Sequence, residues 1–499
     1  MSLLRGVTTL APHTSILASA ARALLALAAV AYCGSSAADQ ANDAAASAPA
    51  ASPQTSAPVS PADAYTQFRR LYDAKDYPAS AAQAKQVAEL TEKEFGPAGE
   101  ELQVALMNLA TAQYLAGDYV GAEENYLRVI ELADASGKPR VERLARANAG
   151  LAVTYYAGKR YDLAVQRFES AVALSRRSEG LLNEHQLPLL EKYADSLTEL
   201  GRPQDALKVQ KYALRIAERK YGDRDPRIAP ALEKLGRWYA RVGAYDPART
   251  TLKRAIDIVE KAEGPASPQL VGPLTALAEC ARLQLLDPAQ QRQATPDADR
   301  GGMFHDPMEP LPYSSATTAA EGQKALERAV AIASERPDPS PVQIAGVRTQ
   351  YGDWFQTRSQ PERALPQYQQ AWQAASRVTY EGKPLSEMLF GKPVLLQYAR
   401  PESWNRYASR PREEVEIKTV LLDVTVTSDG RTRDAKVLDD SGDARHAEQT
   451  RQAAETARYR PRFENGQPVD TPSVRFTQAW VVLIPKPDAP APEPEQKKP

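Results

Sequence analysis

The side chains that could make or break bonds are few and scattered. Four histidines (His13, His185, His305, His446) and two cysteines (Cys33, Cys280) are spread over 499 residues. That excludes a disulfide framework and a zinc site built of Cys and His alone. Glu184-His185 and His446-Ala447-Glu448 set a histidine beside a carboxylate, the pairing a general base needs. Single pairs of this kind arise freely on polar surfaces. The chain also has no phosphate-cradling glycine loop, no G-x-S-x-G elbow and no H-E-x-x-H. Cys280 falls where a helix is expected to be buried, so it reads as a packed thiol rather than a nucleophile. No catalytic residue, cofactor-binding residue or metal ligand is assigned, no cofactor is expected, and the chain does not read as an enzyme. With 62 basic and 63 acidic side chains the net charge is −1, so no global field points to nucleic acid.

What does recur is a set of small and aromatic residues that helices must position. Gly117-Asp118-Tyr119 leads to Ala122, Tyr126 and Val129, and Tyr161 leads to Ala164, Phe168 and Ala171. Gly201 leads to Ala206, Gln210 and Ala213, and Gly243-Ala244-Tyr245 leads to Ala248, Leu252 and Ala255. The small residue falls at Ser80, Ala122, Ala164, Ala206 and Ala248, a step of 42 residues each time. Such a unit is a helical hairpin: the tyrosine or proline opens the second helix, and the small residue lets the first helix approach closely. Each hairpin leaves an apolar side that only its neighbour can cover, so the hairpins must stack. After the fifth pair, residues 274–286 supply a first helix and a stretch rich in Gln, Asp, Gly and Pro follows over 287–315. The second helix resumes at 321–334, 74 residues past the preceding copy, which implies an insertion of 32. Residues 343–377 form the last of seven expected pairs, with Gly352, Phe355, Ala364, Tyr368 and Ala371.

These copies resemble tetratricopeptide repeats, and the 42-residue period with Phe95-Gly96-Pro97 and Tyr221-Gly222-Asp223-Arg224-Asp225-Pro226 resembles the longer-looped version of kinesin light chains. In such repeats first-helix residues build a concave groove. The resemblance maps that groove onto Tyr65, Arg69, Tyr72, Tyr114, Tyr156, Glu191, Asp195, Arg237, Arg241 and Asp353. It implies an aromatic end that packs apolar side chains and later repeats that read charge. The same tyrosines suit plain inter-repeat packing.

Beyond Pro393 the period changes to two. Residues 415–427 (VEIKTVLLDVTVT) alternate and are rich in β-branched side chains, and Ser428-Asp429-Gly430 turns them into 431–438. Residues 443–458 read as a polar helix, followed by Tyr459-Arg460-Pro461, the turn Glu464-Asn465-Gly466-Gln467-Pro468 and a strand over 473–484 with Phe476 and Trp480. The order strand, strand, helix, strand resembles the C-terminal domain of TonB, the energy transducer of Gram-negative outer-membrane transport. The words carrying that resemblance are Asp423-Val424-Thr425-Val426, Asp429-Gly430-Arg431, Tyr459-Arg460-Pro461 and Gly466-Gln467-Pro468-Val469. It implies binding by strand addition, with Val474, Phe476, Gln478 and Trp480 on the pairing edge.

At the other end, residues 1–38 read as an export signal: Arg5 and Arg22 are its only charges, 23–32 (ALLALAAVAY) are apolar, and Ser36-Ala37-Ala38 precedes Asp39. Val30-Ala31-Tyr32-Cys33 resembles a lipobox, with Tyr32 where that motif wants a small residue.

The expected fold class is therefore mainly α, a tetratricopeptide-type helical-hairpin solenoid followed by a small α+β domain like the TonB C-terminus. The expected domains are a signal peptide (1–38), an Ala/Ser/Pro linker (39–61), a solenoid (62–378, insertion 287–315), a connector (379–412), the TonB-like domain (413–486) and a disordered tail (487–499). The expected function is a non-catalytic periplasmic adaptor. Its solenoid would bind one partner, and its last domain would dock by strand addition on proteins or extended peptides such as outer-membrane receptor segments. The alternatives are a TonB-type energy transducer, which requires a retained N-terminal helix, and an envelope-assembly lipoprotein acylated at Cys33. Membrane contact is expected only if the N-terminus is lipidated or uncleaved.

Overall fold

Helix punctuation follows the repeat. Tyr77, Tyr119, Tyr161, Pro203 and Tyr245 are each the first residue of a second helix. The preceding turn needs a left-handed residue at places such as Gly117, whose φ is 85° and which caps its helix. The small residues of the 42-residue step, Ser80, Ala122, Ala164, Ala206 and Ala248, are all fully buried, as close helix approach requires. A larger side chain at any of them would overpack the hairpin.

The computed structural model describes residues 60–287 except 136, 138 and 139, and residues 315–484 except 381, 402, 405, 408, 409, 441 and 442. The expected signal peptide with Cys33, most of the linker, nearly all of the insertion and the tail lie outside the described residues. Among the described residues fourteen helices make seven hairpins: α1 Pro61–Asp73, α2 Tyr77–Phe95, α3 Glu100–Ala116, α4 Tyr119–Ala135, α5 Val141–Ala157, α6 Tyr161–Glu179, α7 Leu187–Glu199, α8 Pro203–Tyr221, α9 Ala229–Arg241, α10 Tyr245–Glu263, α11 Val271–Leu286, α12 Ser315–Ser334, α13 Pro341–Thr357 and α14 Pro361–Ala375. Among the described residues no helix is long and apolar enough to cross a membrane. Helix α12 starts six residues earlier than the sequence pattern indicates, because the Ser-Ala-Thr-Thr-Ala-Ala run before Glu321 carries helix without an apolar stripe to announce it.

The chain divides into two compact units between Leu235 and Gly236, inside α9. In the first, the core runs through Phe68, Leu102 and Leu106, then Tyr126, Leu151 and Phe168, then Leu190, Tyr212 and Ile216. Each large apolar side chain so buried contributes about 1.5–3 kcal/mol. In the second, Trp354 and Tyr368 are fully buried, and a Cβ on Gly352 would come within 2.3 Å of the Tyr368 ring.

The second unit continues past α14 into a small strand-rich domain. A two-residue ladder (β1 Thr379–Tyr380 with β2 Lys383–Pro384), a short helix α15 (Leu385–Phe390) and β3 (Val394–Gln397) lead to β4 (Val415–Val426) and β5 (Thr432–Asp439). Helix α16 (Ala444–Glu455), β6 (Arg458–Arg460), β7 (Arg462–Glu464), β8 (Gln467–Val469) and β9 (Thr471–Leu483) follow. The main sheet is antiparallel in the order β5-β4-β9, with Lys418 opposite Trp480 and Leu422 opposite Phe476. Val420, Leu422, Val424, Phe476 and Trp480 face α16, where Ala447 and Ala454 close the core.

The sequence reading of strand, strand, helix, strand holds for β4, β5, α16 and β9. It missed β6–β8 and the strand β3 inside the expected connector, which pairs with β6. Segments of three or four residues are too short for a period of two to show.

Candidate partner-binding surfaces

Strand β9 pairs with β4 along its length and stands at one side of the sheet. Its outer edge can be assigned residue by residue. The Ile484 N–H continues the ladder by donating to the Glu414 carbonyl at 2.9 Å. Backbone groups alternate sides along an antiparallel strand, so even-numbered residues bond β4 and odd-numbered ones point outward. In agreement, the Val481 N–H points away from β4 and donates to the Trp404 carbonyl at 2.9 Å.

The sequence-derived edge residues therefore need correction. Phe476, Gln478 and Trp480 are almost wholly buried, and Val474 is half-buried. Their side chains support the sheet, while the outward backbone groups belong to Arg475, Thr477, Ala479 and Val481. The physical reason is the period of two, which assigns neighbouring residues opposite tasks.

The buried face is polar at chosen points. The Trp480 indole N–H donates to Thr450 Oγ1 at 3.1 Å, and the His446 ring stacks on it at 4.1 Å with its Nδ1 3.1 Å from Asp443. Gln478, 2% exposed, accepts the Tyr398 hydroxyl at 2.8 Å and donates to the Ala479 carbonyl at 2.6 Å. Two of the outward edge groups, at Ala479 and Val481, are thus already occupied by the protein itself. Among the described residues, Arg475 and Thr477 form the open stretch, and both side chains are exposed.

This domain is held on the last hairpin by buried polar and aromatic contacts. Arg460 grips Asp353 with two bonds of 3.0 and 2.7 Å and donates a third, of 3.0 Å, to the Leu389 carbonyl. The Tyr368 hydroxyl donates to the same carboxylate at 2.9 Å. Burial first, then the Asp353 charge, push the Tyr368 phenol well above its ordinary pKa. Burial disfavours the Arg460 charge, yet its pKa stands above the usual value because Asp353 outweighs that effect. Around the pair, Phe390 and Phe463 lie 5.1 Å apart with Tyr368 against both. Gln356 donates to the Asp429 carbonyl and Gln397 to the Thr357 carbonyl, each at 2.7 Å.

Asp353 is therefore consumed inside the protein and is not offered to a groove, a second correction. Tyr72, 6% exposed, is likewise core. Its ring lies 5.9 Å from Tyr77, and Tyr114/Tyr119 and Tyr156/Tyr161 repeat that contact at 5.9 and 5.8 Å. These tyrosines brace the turns within hairpins. Tyr65 is exposed beside Phe68, and Arg69 lies 3.7 Å from Asp73. Glu191 takes Lys234 at 2.8 Å and Arg237 takes Glu279 at 2.5 Å, so both bridge successive repeats. Asp195 and Arg241 also have partners.

The histidine–carboxylate pairs separate. Glu184 turns to Lys220 and Tyr221 while the exposed His185 lies 3.9 Å from Glu179, and Glu448 bonds Arg451 rather than His446. Cys280 is fully buried, which pushes its thiol up to about 12.

Residues 100–177 and 186–261 match the family model of the tetratricopeptide repeat, and residues 406–477 match that of the Gram-negative bacterial TonB protein C-terminal. No curated protein matches the chain. Similar solved structures include the kinesin light chain TPR-like repeats of Podosopora anserina, at 20% identity over 40% of this chain and 96% of that one, with a TM-score of 0.37. BtubC (BKLC) of P. vanneervenii is similar at 18% identity over 55% of this chain and 94% of that one, TM-score 0.37. The quorum sensor NprR of B. thuringiensis is similar at 15% identity over 63% and 88%, TM-score 0.35. Both matched families are protein-interaction folds, which suits an adaptor or a TonB-like role. The chain thus folds as a solenoid of tetratricopeptide-like hairpins followed by a small strand-rich domain that matches the TonB C-terminal model.

Proposed function

We propose that the chain is a non-catalytic adaptor of the Gram-negative envelope, working in the periplasm, whose solenoid binds one protein while its last domain docks on another by strand addition. The observation that carries this reading is the open stretch of β9 at Arg475 and Thr477, backbone groups aimed outward from a supported edge strand. An exposed edge of this kind is a template for an extended peptide: main-chain bonds give affinity and neighbouring side chains give selectivity. The TonB match supports an envelope location and an outer-membrane receptor segment as the docked peptide. The domain is fastened to the last hairpin through Asp353 and Arg460.

The test is capture from cross-linked envelopes with the full chain and with Thr477→Pro. Proline there deletes one outward N–H and leaves the β4–β9 ladder intact. Loss of receptor capture with an unchanged far-ultraviolet spectrum supports strand addition. Equal capture by both chains rejects it and leaves the solenoid as the functional surface.

A further inference from the structure

A second surface lies on the opposite kind of face from the first-helix groove, between the second helices α6 and α8 over the floor of α7. Two adjoining cavities of about 340 and 310 Å³ share Arg176, Tyr212 and Arg215. The first is walled by Leu181 and Leu182, which are 62% and 40% exposed in the loop after α6. The second reaches down to Val172, Leu190 and Val209. An apolar recess with leucines left open to water at its mouth is poorly satisfied by solvent alone.

The rim is cationic in a specific way. Tyr212 holds two guanidiniums, Arg176 at 4.3 Å from its ring centre and Arg215 at 5.8 Å, and the Arg176 Nε–H donates to the Tyr212 hydroxyl at 3.1 Å. Among the described residues neither arginine has a carboxylate partner. The same holds for Lys211 and Arg219, one turn of α8 to either side of Arg215 and exposed like it. Of the other charges nearby, Lys208 pairs with Asp205 at 2.9 Å, and Glu169, on the wall of the second cavity, accepts the Tyr193 hydroxyl at 2.9 Å and keeps its negative charge, so the acidic contacts fall to the Arg215 side. Unspent cations beside an apolar recess complement a ligand that presents carboxylates beside one apolar side chain.

We infer that this α6–α8 groove docks an acidic peptide segment, seating one leucine or phenylalanine in the recess with flanking Asp or Glu on Arg215 and its neighbours. A bilayer surface would meet the arginines but not the floor, since Val172 and Leu190 lie buried between the helices. The inference rests on the solenoid being a protein-binding surface and is independent of strand addition at β9.

The experiment is fluorescence anisotropy of the full chain with a labelled probe, Gly-Glu-Glu-Leu-Phe-Glu-Glu-Gly, against one with both apolar residues replaced by serine and one with lysine for glutamate. Saturable binding of the first probe alone is expected, weakening with salt. Arg215→Glu and Leu181→Asp, both at exposed positions and each checked for native folding by circular dichroism, should each weaken it about tenfold or more. Absence of binding overturns the inference. So does binding that both variants leave unchanged, which would place the peptide elsewhere on the solenoid and leave the adaptor reading standing. Anionic phosphatidylglycerol vesicles that bind and lose affinity in Arg215→Glu, with no peptide binding, would also overturn it in favour of a membrane surface.

Discussion

The Asp353–Arg460 pair permits a quantitative test of how the last domain is held. Its side chains are 15% and 11% exposed, so Asp353→Asn leaves a guanidinium almost out of water with only the Leu389 carbonyl and neutral groups around it. Removing one partner of a buried pair costs about 3–5 kcal/mol, and the residual exposure argues for the lower figure, about 3. Four of the five tryptophans, at 354, 372, 404 and 480, lie in this region, so urea unfolding followed by tryptophan emission reports on it. With a slope of about 2 kcal/mol per molar urea, 3 kcal/mol moves the midpoint down by about 1.5 M. The double variant Asp353→Leu with Arg460→Met should recover most of that, because two apolar groups leave no stranded charge. A midpoint shift below about 0.3 M for Asp353→Asn, or strictly additive effects in the cycle, would refute the claim that this pair fastens the domain.

Three further outcomes follow from particular contacts. Gly352→Ala should lower the same midpoint by an amount equivalent to about 1–3 kcal/mol, because its methyl meets a Tyr368 ring that has nowhere to go. Cys280 should resist a thiol reagent at neutral pH in the folded chain and react fully in urea, as burial raises its thiol to about 12 and seals it. Asp225 accepts the Arg227 guanidinium and backbone N–H, and these bonds draw its carboxyl down to about 2. A depressed carboxyl stabilises above its unfolded value near 3.8, and that contribution is lost as pH falls through 2. Asp225 carbon shifts followed by NMR should therefore titrate below those of a free aspartate.

The solenoid was legible because its rule is local and repeated: a small residue every 42 positions must be buried wherever the hairpin closes, and Ser80 to Ala248 all are. The tyrosines were ambiguous for the same reason. Tyr72, Tyr114 and Tyr156 each have a tyrosine five residues on, and only the structure shows the two rings meeting across the turn. Asp353 looked like a groove residue because nothing local marks its partner, Arg460, which is 107 residues away. The short pair β3–β6 was hidden likewise, since three residues carry no period and their strand partner lies across the whole domain. The α6–α8 recess had a fainter signal, the adjacent Leu181-Leu182 in a loop otherwise punctuated by polar residues.

Hydrogen exchange at the β9 edge bears most directly on strand addition. In the free chain the outward N–H groups of Arg475 and Thr477 should exchange quickly while those of Phe476 and Gln478, bonded to β4, are protected. On adding the partner recovered by envelope capture, Arg475 and Thr477 should slow by about tenfold or more while Phe476 and Gln478 hardly change. A complex that forms while Arg475 and Thr477 keep exchanging at their free rates would contradict docking through this edge.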